Sequence, residues 1–274
     1  MVAATVVFAS VWALVRHATE SVDPLQIVFF RQLIGLLAIL PLLRHGGPSL
    51  LRTHRFGTHM LRALTGVTAA FCTFLAIAKI PLGDVVAISY AAPLLTTLAA
   101  FLLLGEPARL RRILAVLVGF GGMLLVMRPG SQAMQWGHLI ALAGSVCVAA
   151  SMISIRTLTS TEHPRTIVFY NFLLGLPISL LAVVPVWQWP SGGELGLLVA
   201  IGLGAFVAQM LIVRAFAHSE ASVLMPFDFL RLVLASALGY FLFAEKIDAY
   251  TATGALIILL ATIYLARREY GARR

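Results

Sequence analysis

The second half of this chain repeats its first, and that repetition constrains its fold more than any other feature. An offset of 140 residues lays PLQIVFFRQLIGLL (24–37) over PRTIVFYNFLLGLP (164–177) and pairs Arg16 with Arg156, Thr19 with Thr159, Pro24 with Pro164 and Gly35 with Gly175. Farther along the offset becomes 139, pairing Leu95 with Leu234, Leu103 with Leu242 and Glu106 with Glu245. Leu- and Ala-rich segments share letters by chance, but Arg, Pro, Gly and Glu do not coincide in order by composition alone. Two units follow, residues 1–130 and 131–274.

Each unit holds five apolar stretches. The ten are 2–15, 24–43, 60–78, 84–104, 110–127, 136–155, 165–187, 194–217, 221–243 and 247–266. About 20 apolar residues in a helix cross a hydrocarbon core of about 30 Å, and in lipid only helices or closed barrels satisfy their own backbone. The composition agrees: 60% of the residues are hydrophobic and 11% charged, against about 25% charged in soluble proteins. The expected fold is therefore all-α and integral to the membrane, ten transmembrane helices in two five-helix repeats. Because five is odd, the second repeat starts on the opposite side of the bilayer. Inverted repeats of this kind recur in secondary transporters.

The net charge of +9 does not indicate nucleic-acid binding, because the arginines are spread through short loops and form no single face. Instead they report orientation. With the N-terminus inside, Arg44, Arg52, Arg55, Arg62, Arg109, Arg111, Arg112, Arg156, Arg165, Arg214, Arg267, Arg268, Arg273 and Arg274 fall on cytoplasmic segments, and only Arg16, Lys79, Arg128 and Lys246 on outer loops. This bias predicts an inner (plasma) membrane protein with both termini cytoplasmic. Trp12, Trp136, Trp187 and Trp189 would then lie toward the outer interface. The first helix is short beside its partner, which predicts that about five or six residues are missing at the N-terminus.

Leu104-Gly105-Glu106 closing the fourth span and Ala244-Glu245 closing the ninth, within a duplicated ten-helix chain, resemble the drug/metabolite transporter superfamily and, more narrowly, its EamA-type ten-helix exporters. The resemblance covers the whole chain and implies a carrier for small metabolites, often amino acids or amphipathic compounds, commonly exported. Ala244 departs from the Gly that the motif favours at that helix end.

Polar residues found in only one repeat, at membrane depth, are the candidates for function. They are Arg31 opposite Asn171, Gln32 opposite Phe172, Gln209 opposite Ala70, Asp228 opposite Ser89, and Arg231 opposite Ala92. Charges at the bilayer centre cost about 2.5–3.5 kcal/mol on insertion scales and normally face a cavity or a partner. Arg31 and Arg231 against Asp228 leave surplus positive charge, suited to a carboxylate or other anionic group on a substrate. Asp228 is the group to titrate if protons drive transport. Pro93 and Pro226 each free a backbone carbonyl and mark bends near the centre. Tyr90 and Phe227 beside them, with Trp12 and Tyr170, offer aromatic walls.

Glu106 and Glu245 occupy equivalent helix ends and are expected to accept backbone N–H groups of the following helix. His17, His138 and His218 are expected at headgroups or loops. No cofactor or metal is expected, because no His/Asp/Glu cluster of an enzyme site stands in any loop. The substrate reading favours a small amphipathic metabolite, most of all an amino acid, carried by a monomer through alternating access. A nucleotide-sugar or phosphate-ester carrier is the second reading, a passive channel or a membrane enzyme the more distant ones.

Overall fold

The computed structural model describes residues 2–44, 53–92, 94–95, 110–129, 134–218, 230–245 and 249–271. Among them the chain forms ten α-helices: α1 (Val2–Ala18), α2 (Pro24–Arg44), α3 (Phe56–Ile77), α4 (Leu82–Ser89), α5 (Leu110–Met127), α6 (Trp136–Thr159), α7 (Pro164–Val183, continued by a 3-10 turn Val184–Val186), α8 (Gly192–His218), α9 (Leu230–Phe243) and α10 (Ala249–Gly271). Among the described residues α2, α3, α6, α7 with its 3-10 turn, and α8 are long and apolar enough to cross a membrane, and shorter apolar segments lie in α1, α5, α9 and α10. Pro93, Glu106, Pro226, Phe227 and Asp228 fall outside the described residues.

Corresponding helices of the two halves start for the same local reason. Pro24 and Pro164 occupy the first turns of α2 and α7, where a missing N–H costs nothing. The preceding side chain caps each start: Asp23 Oδ1 accepts the Leu25 N–H at 2.8 Å, and His163 Nδ1 accepts the Arg165 N–H at 3.2 Å. Repeated letters thus repeat a physical task, the closing of a helix N-terminus.

Packing between helices is reciprocal. α1 lies on α8 and α9 as α6 lies on α3 and α4; α2 lies on α8 as α7 lies on α3; and α2–α7, α4–α9 and α5–α10 meet directly. Several of these pairs close on glycines, two of them from both sides. Phe172 of α7 fills the space beside Gly35 of α2, while the Gln32 amide of α2 fills that beside Gly175 of α7. At the α5–α10 seam, Gly122 and Gly254 bring backbone against backbone, since a Cβ at Gly122 would stand 2.8 Å from the Gly254 carbonyl oxygen. Small residues permit this close approach in lipid, where apolar burial alone does not draw helices together. Gly121, the neighbour of Gly122, faces open space.

Hydrogen bonds between loops fix which helix ends lie together. At one end Glu245, after α9, meets Arg16 of α1 and Leu82 at the start of α4, and Gln26, early in α2, bonds Gln188, after α7. At the other end Thr53, before α3, donates to Glu162, before α7, at 2.6 Å, and Arg165 donates to Leu42 O, late in α2.

The exterior is apolar, unlike that of a soluble bundle, and the largely apolar interior also carries polar groups. Leu117, Leu181, Val184, Phe241 and Leu242 are exposed, whereas Gln32, Arg62, Ser151 and Asn171 are buried. Patches of this extent belong against lipid, since soluble monomers rarely expose them. Trp136 and Trp189 stand exposed, as an interfacial belt requires, but Trp12 is only 7% exposed and points inward. It belongs to the core, so its expected place in the belt is corrected.

Candidate functional site

A cavity opens between α1, α3, α4, α6 and α9. Its walls are Trp12, Thr73, Val85, Ser89, Tyr90, Ala92, Ala141, Ser145, Val148, Met152 and Arg231. Arg231, in the first turn of α9, is its only charged wall among the described residues. The guanidinium carbon lies 5.0 Å from the Trp12 ring centre, 5.4 Å from Tyr90 and 6.0 Å from Phe8. Nη2 donates a hydrogen bond of 3.4 Å to Ser89 Oγ. Aromatic faces stabilise a desolvated cation by about 2 kcal/mol or more, which explains how this charge is held at membrane depth. The Ser145 hydroxyl on the far wall is tied to Ile88 O and Ala141 O, each at 3.0 Å.

The lining is thus amphipathic: a guanidinium and hydroxyls beside aromatic and aliphatic faces. Its volume of about 60 Å³ is well below the roughly 300–1,000 Å³ of sites that hold drug-sized ligands. The described walls thus enclose less space than a metabolite of that size fills.

A second polar cluster lies elsewhere in the interior, among α2, α3, α6, α7 and α8. Arg62, 2% exposed, donates from Nη1 to Ser151 Oγ at 2.9 Å and from Nη2 to Gln209 Oε1 at 3.3 Å. Arg31, 8% exposed, donates to Gln32 Oε1 at 3.2 Å, and Gln32 donates to Asn171 O at 3.3 Å. Asn171 Oδ1 and Ser151 Oγ both face Gly66, one turn beyond Arg62. The ring of His59, one turn before it, lies 4.6 Å from that of Tyr170.

The residues singled out from sequence therefore divide. Trp12, Tyr90 and Arg231 meet in the cavity, with Met152 beside them. Arg31, Gln32, Tyr170, Asn171 and Gln209 gather in the second cluster, and none of them is a wall of the cavity that holds Arg231. Arg62 and His59 were not singled out. The count of loop charges assigned Arg62 to a cytoplasmic segment, but α3 begins at Phe56, which places Arg62 within the helix. Under the offset that pairs Ala70 with Gln209, Arg62 falls opposite Ile201, so the same one-copy criterion identifies it.

Two further expectations take definite form. His138, expected at headgroups or loops, is only 3% exposed and bonds the residue that precedes its helix. Its Nδ1 accepts the Gln135 N–H at 3.1 Å, leaving Nε2 3.5 Å from Asp84 Oδ2, while Thr251 donates to Asp84 Oδ1 at 2.7 Å. Glu245 caps a helix as expected, and among the described residues that helix is α4 of the other half.

A model of the EamA-like transporter family matches the chain twice, over residues 1–128 and 135–267. The pseudopaline exporter CntI of Pseudomonas aeruginosa is 32% identical over 279 residues, covering 98% of this chain and 95% of its own. The riboflavin transporter of Brucella anthropi is 30% identical over 291 residues, covering 100% and 99%. The S-adenosylmethionine uptake transporter of Rickettsia felis is 28% identical over 247 residues, covering 89% and 83%. A solved crystal structure, 21% identical, aligns with a TM-score of 0.65 over 97% of this chain and 98% of the other, and shares the fold.

Proposed function

Because the chain belongs to the EamA-like transporter family, and is thereby a multi-pass membrane transporter rather than an enzyme, we propose that it exports a small amphipathic metabolite bearing a carboxylate, most of all an amino acid with an apolar or aromatic side chain. The observation that carries this reading is the Arg231 guanidinium beside Trp12 and Tyr90 on the wall of a small cavity. A planar guanidinium pairs with a carboxylate through two parallel hydrogen bonds, and the rings and Met152 accept the apolar remainder.

In this reading the two five-helix halves are inverted and rock about the cavity, exposing it to each side in turn. The reciprocal packing of corresponding helices supports it. So do the ends that meet: α1 finishes where α9 finishes and α4 starts, and α2 starts where α7 finishes. Export is favoured by likeness to a named exporter along nearly the whole chain, although named uptake transporters are also among the relatives.

The test is uptake by proteoliposomes offered amino acids, sugars and organic cations, with and without a pH gradient. Saturable flux of an amino acid, lost in Arg231→Ala while the variant still inserts, is the expected result. Flux confined to sugars or cations, or an unchanged Arg231→Ala, would overturn the substrate class or the site.

A further inference from the structure

The Arg31–Arg62 cluster is built at a cost that the pocket at Arg231 does not explain. Both arginines are more than nine-tenths buried, and they interact electrostatically with each other. Like charges in low dielectric repel. Among the described residues no carboxylate forms an ion pair with either, and both arginines' contacts are accounted for in full. What they hold instead are neutral oxygens: Gln32 Oε1, Ser151 Oγ and Gln209 Oε1, two of the three at 3.2–3.3 Å. Arg62 Nε has no acceptor.

His59 is a second, independent sign. It is 1% exposed, and neither of its ring nitrogens has a hydrogen-bond partner. It lies one helical turn from Arg62, on the same side of α3. Among the described residues the carboxylate that acts on it is that of Glu162, which is engaged by the Thr53 hydroxyl at 2.6 Å. Buried polar groups are normally satisfied; here one guanidinium nitrogen and both imidazole nitrogens are not.

We infer that Arg31, Arg62 and His59 form a second binding site, distinct from the Arg231 cavity, that takes an oxyanion of the carboxylate or phosphate type. Guanidinium groups match the planar spacing of such oxygens. The Gln32, Ser151 and Gln209 side chains occupy the anion's place in its absence and rotate aside when it enters. The same chemistry arrives from two sources, the anionic group of a transported metabolite or a free inorganic anion.

The experiment measures thermal stability of the detergent-purified full chain against inorganic phosphate, and separately against acetate, at constant ionic strength set with sodium chloride. The wild type is expected to gain stability saturably with at least one of them. Stabilisation by phosphate indicates a free anion as occupant; stabilisation by acetate alone indicates a carboxylate supplied by cargo. Arg62→Gln is expected to weaken the response about tenfold or more, as loss of a charge-assisted pair does. If that variant fails to fold, Gln209→Glu decides: an internal carboxylate beside Arg62 should raise the stability of the anion-free protein and abolish the response. Arg231→Gln should keep it, which separates this site from the transport pocket. No stabilisation of the wild type by either anion, or an undiminished response in Gln209→Glu, overturns the inference.

Discussion

The Glu245 carboxylate accepts the Leu82 backbone N–H at 2.8 Å, joining the end of α9 to the start of α4 in the other half of the chain. Pro81 precedes α4 and offers no side-chain cap, so the first N–H of that helix needs an acceptor from elsewhere. The other oxygen of Glu245 lies 3.0 Å from Arg16 Nε. Glu245→Ala removes a cap and leaves the half-buried Arg16 without a carboxylate, holding only the Ile77 carbonyl oxygen. Its expected cost is about 1–3 kcal/mol, read as a lower melting temperature in detergent. Glu245→Gln, which keeps an oxygen but not the charge, should fall between the two.

Ala244 has φ of 51°, in the left-handed region. Glycine enters that region without the Cβ clash that other residues suffer, and this is why a Gly-Glu pair is typical of the helix end and why Ala departs from it at a cost. Ala244→Gly is expected to stabilise the chain by about 1 kcal/mol, a rise in melting temperature with transport unchanged. No rise would contradict the backbone argument.

Gly35 and Gly175 are close-approach positions. A Cβ on Gly35 would stand 2.6 Å from Phe172 Cζ, and one on Gly175 2.8 Å from Val67 Cγ2. Gly35→Val is expected to lose about 1–3 kcal/mol by overpacking the α2–α7 seam, and Gly35→Val with Phe172→Ala to recover part of it. Gly121→Val, which meets nothing within 4 Å, should leave stability unchanged. Size-exclusion profiles after heating distinguish the three.

His163 caps α7 through Nδ1. Burial, with smaller contributions from Arg165 and Arg214, holds its pKa below the ordinary histidine value. A histidine whose folded pKa is lowered contributes stability that is present above the unfolded value of about 6.5 and is lost as pH falls below it. Protonation also removes the acceptor. His163→Asn, a good cap that does not titrate, should therefore lose less stability than the wild type between about pH 7.5 and about pH 5.5. Equal losses would contradict the role given to the ring.

The helices and the duplication are legible because lipid demands long apolar runs and because shared letters such as Pro24 and Pro164 serve shared starts. Arg231 is legible as a candidate because a charge at membrane depth is costly, whereas Trp12 and Tyr90 are legible only as aromatic walls until the fold brings all three to one cavity. What stays hidden is partnership. Sequence depth places Arg31 and Arg231 in one class, yet Arg31 turns toward Gln32 and Arg231 toward Ser89. Arg62 is missed through its helix start, which lies four residues before the apolar run begins. His138 is legible as a residue of a helix end, but nothing in the sequence states that Asp84 is folded against it.

The central claim is that two halves of opposite sense enclose a pocket reached from each side of the bilayer. Single cysteines at Thr53, Ser160, Ser21 and Ser191, in a background with Cys72 and Cys147 replaced by serine, test it with a membrane-impermeant maleimide applied to intact cells. Ser21→Cys and Ser191→Cys should label from outside, and Thr53→Cys and Ser160→Cys only after the membrane is opened. Thr53 and Ser160 on different sides would contradict the account.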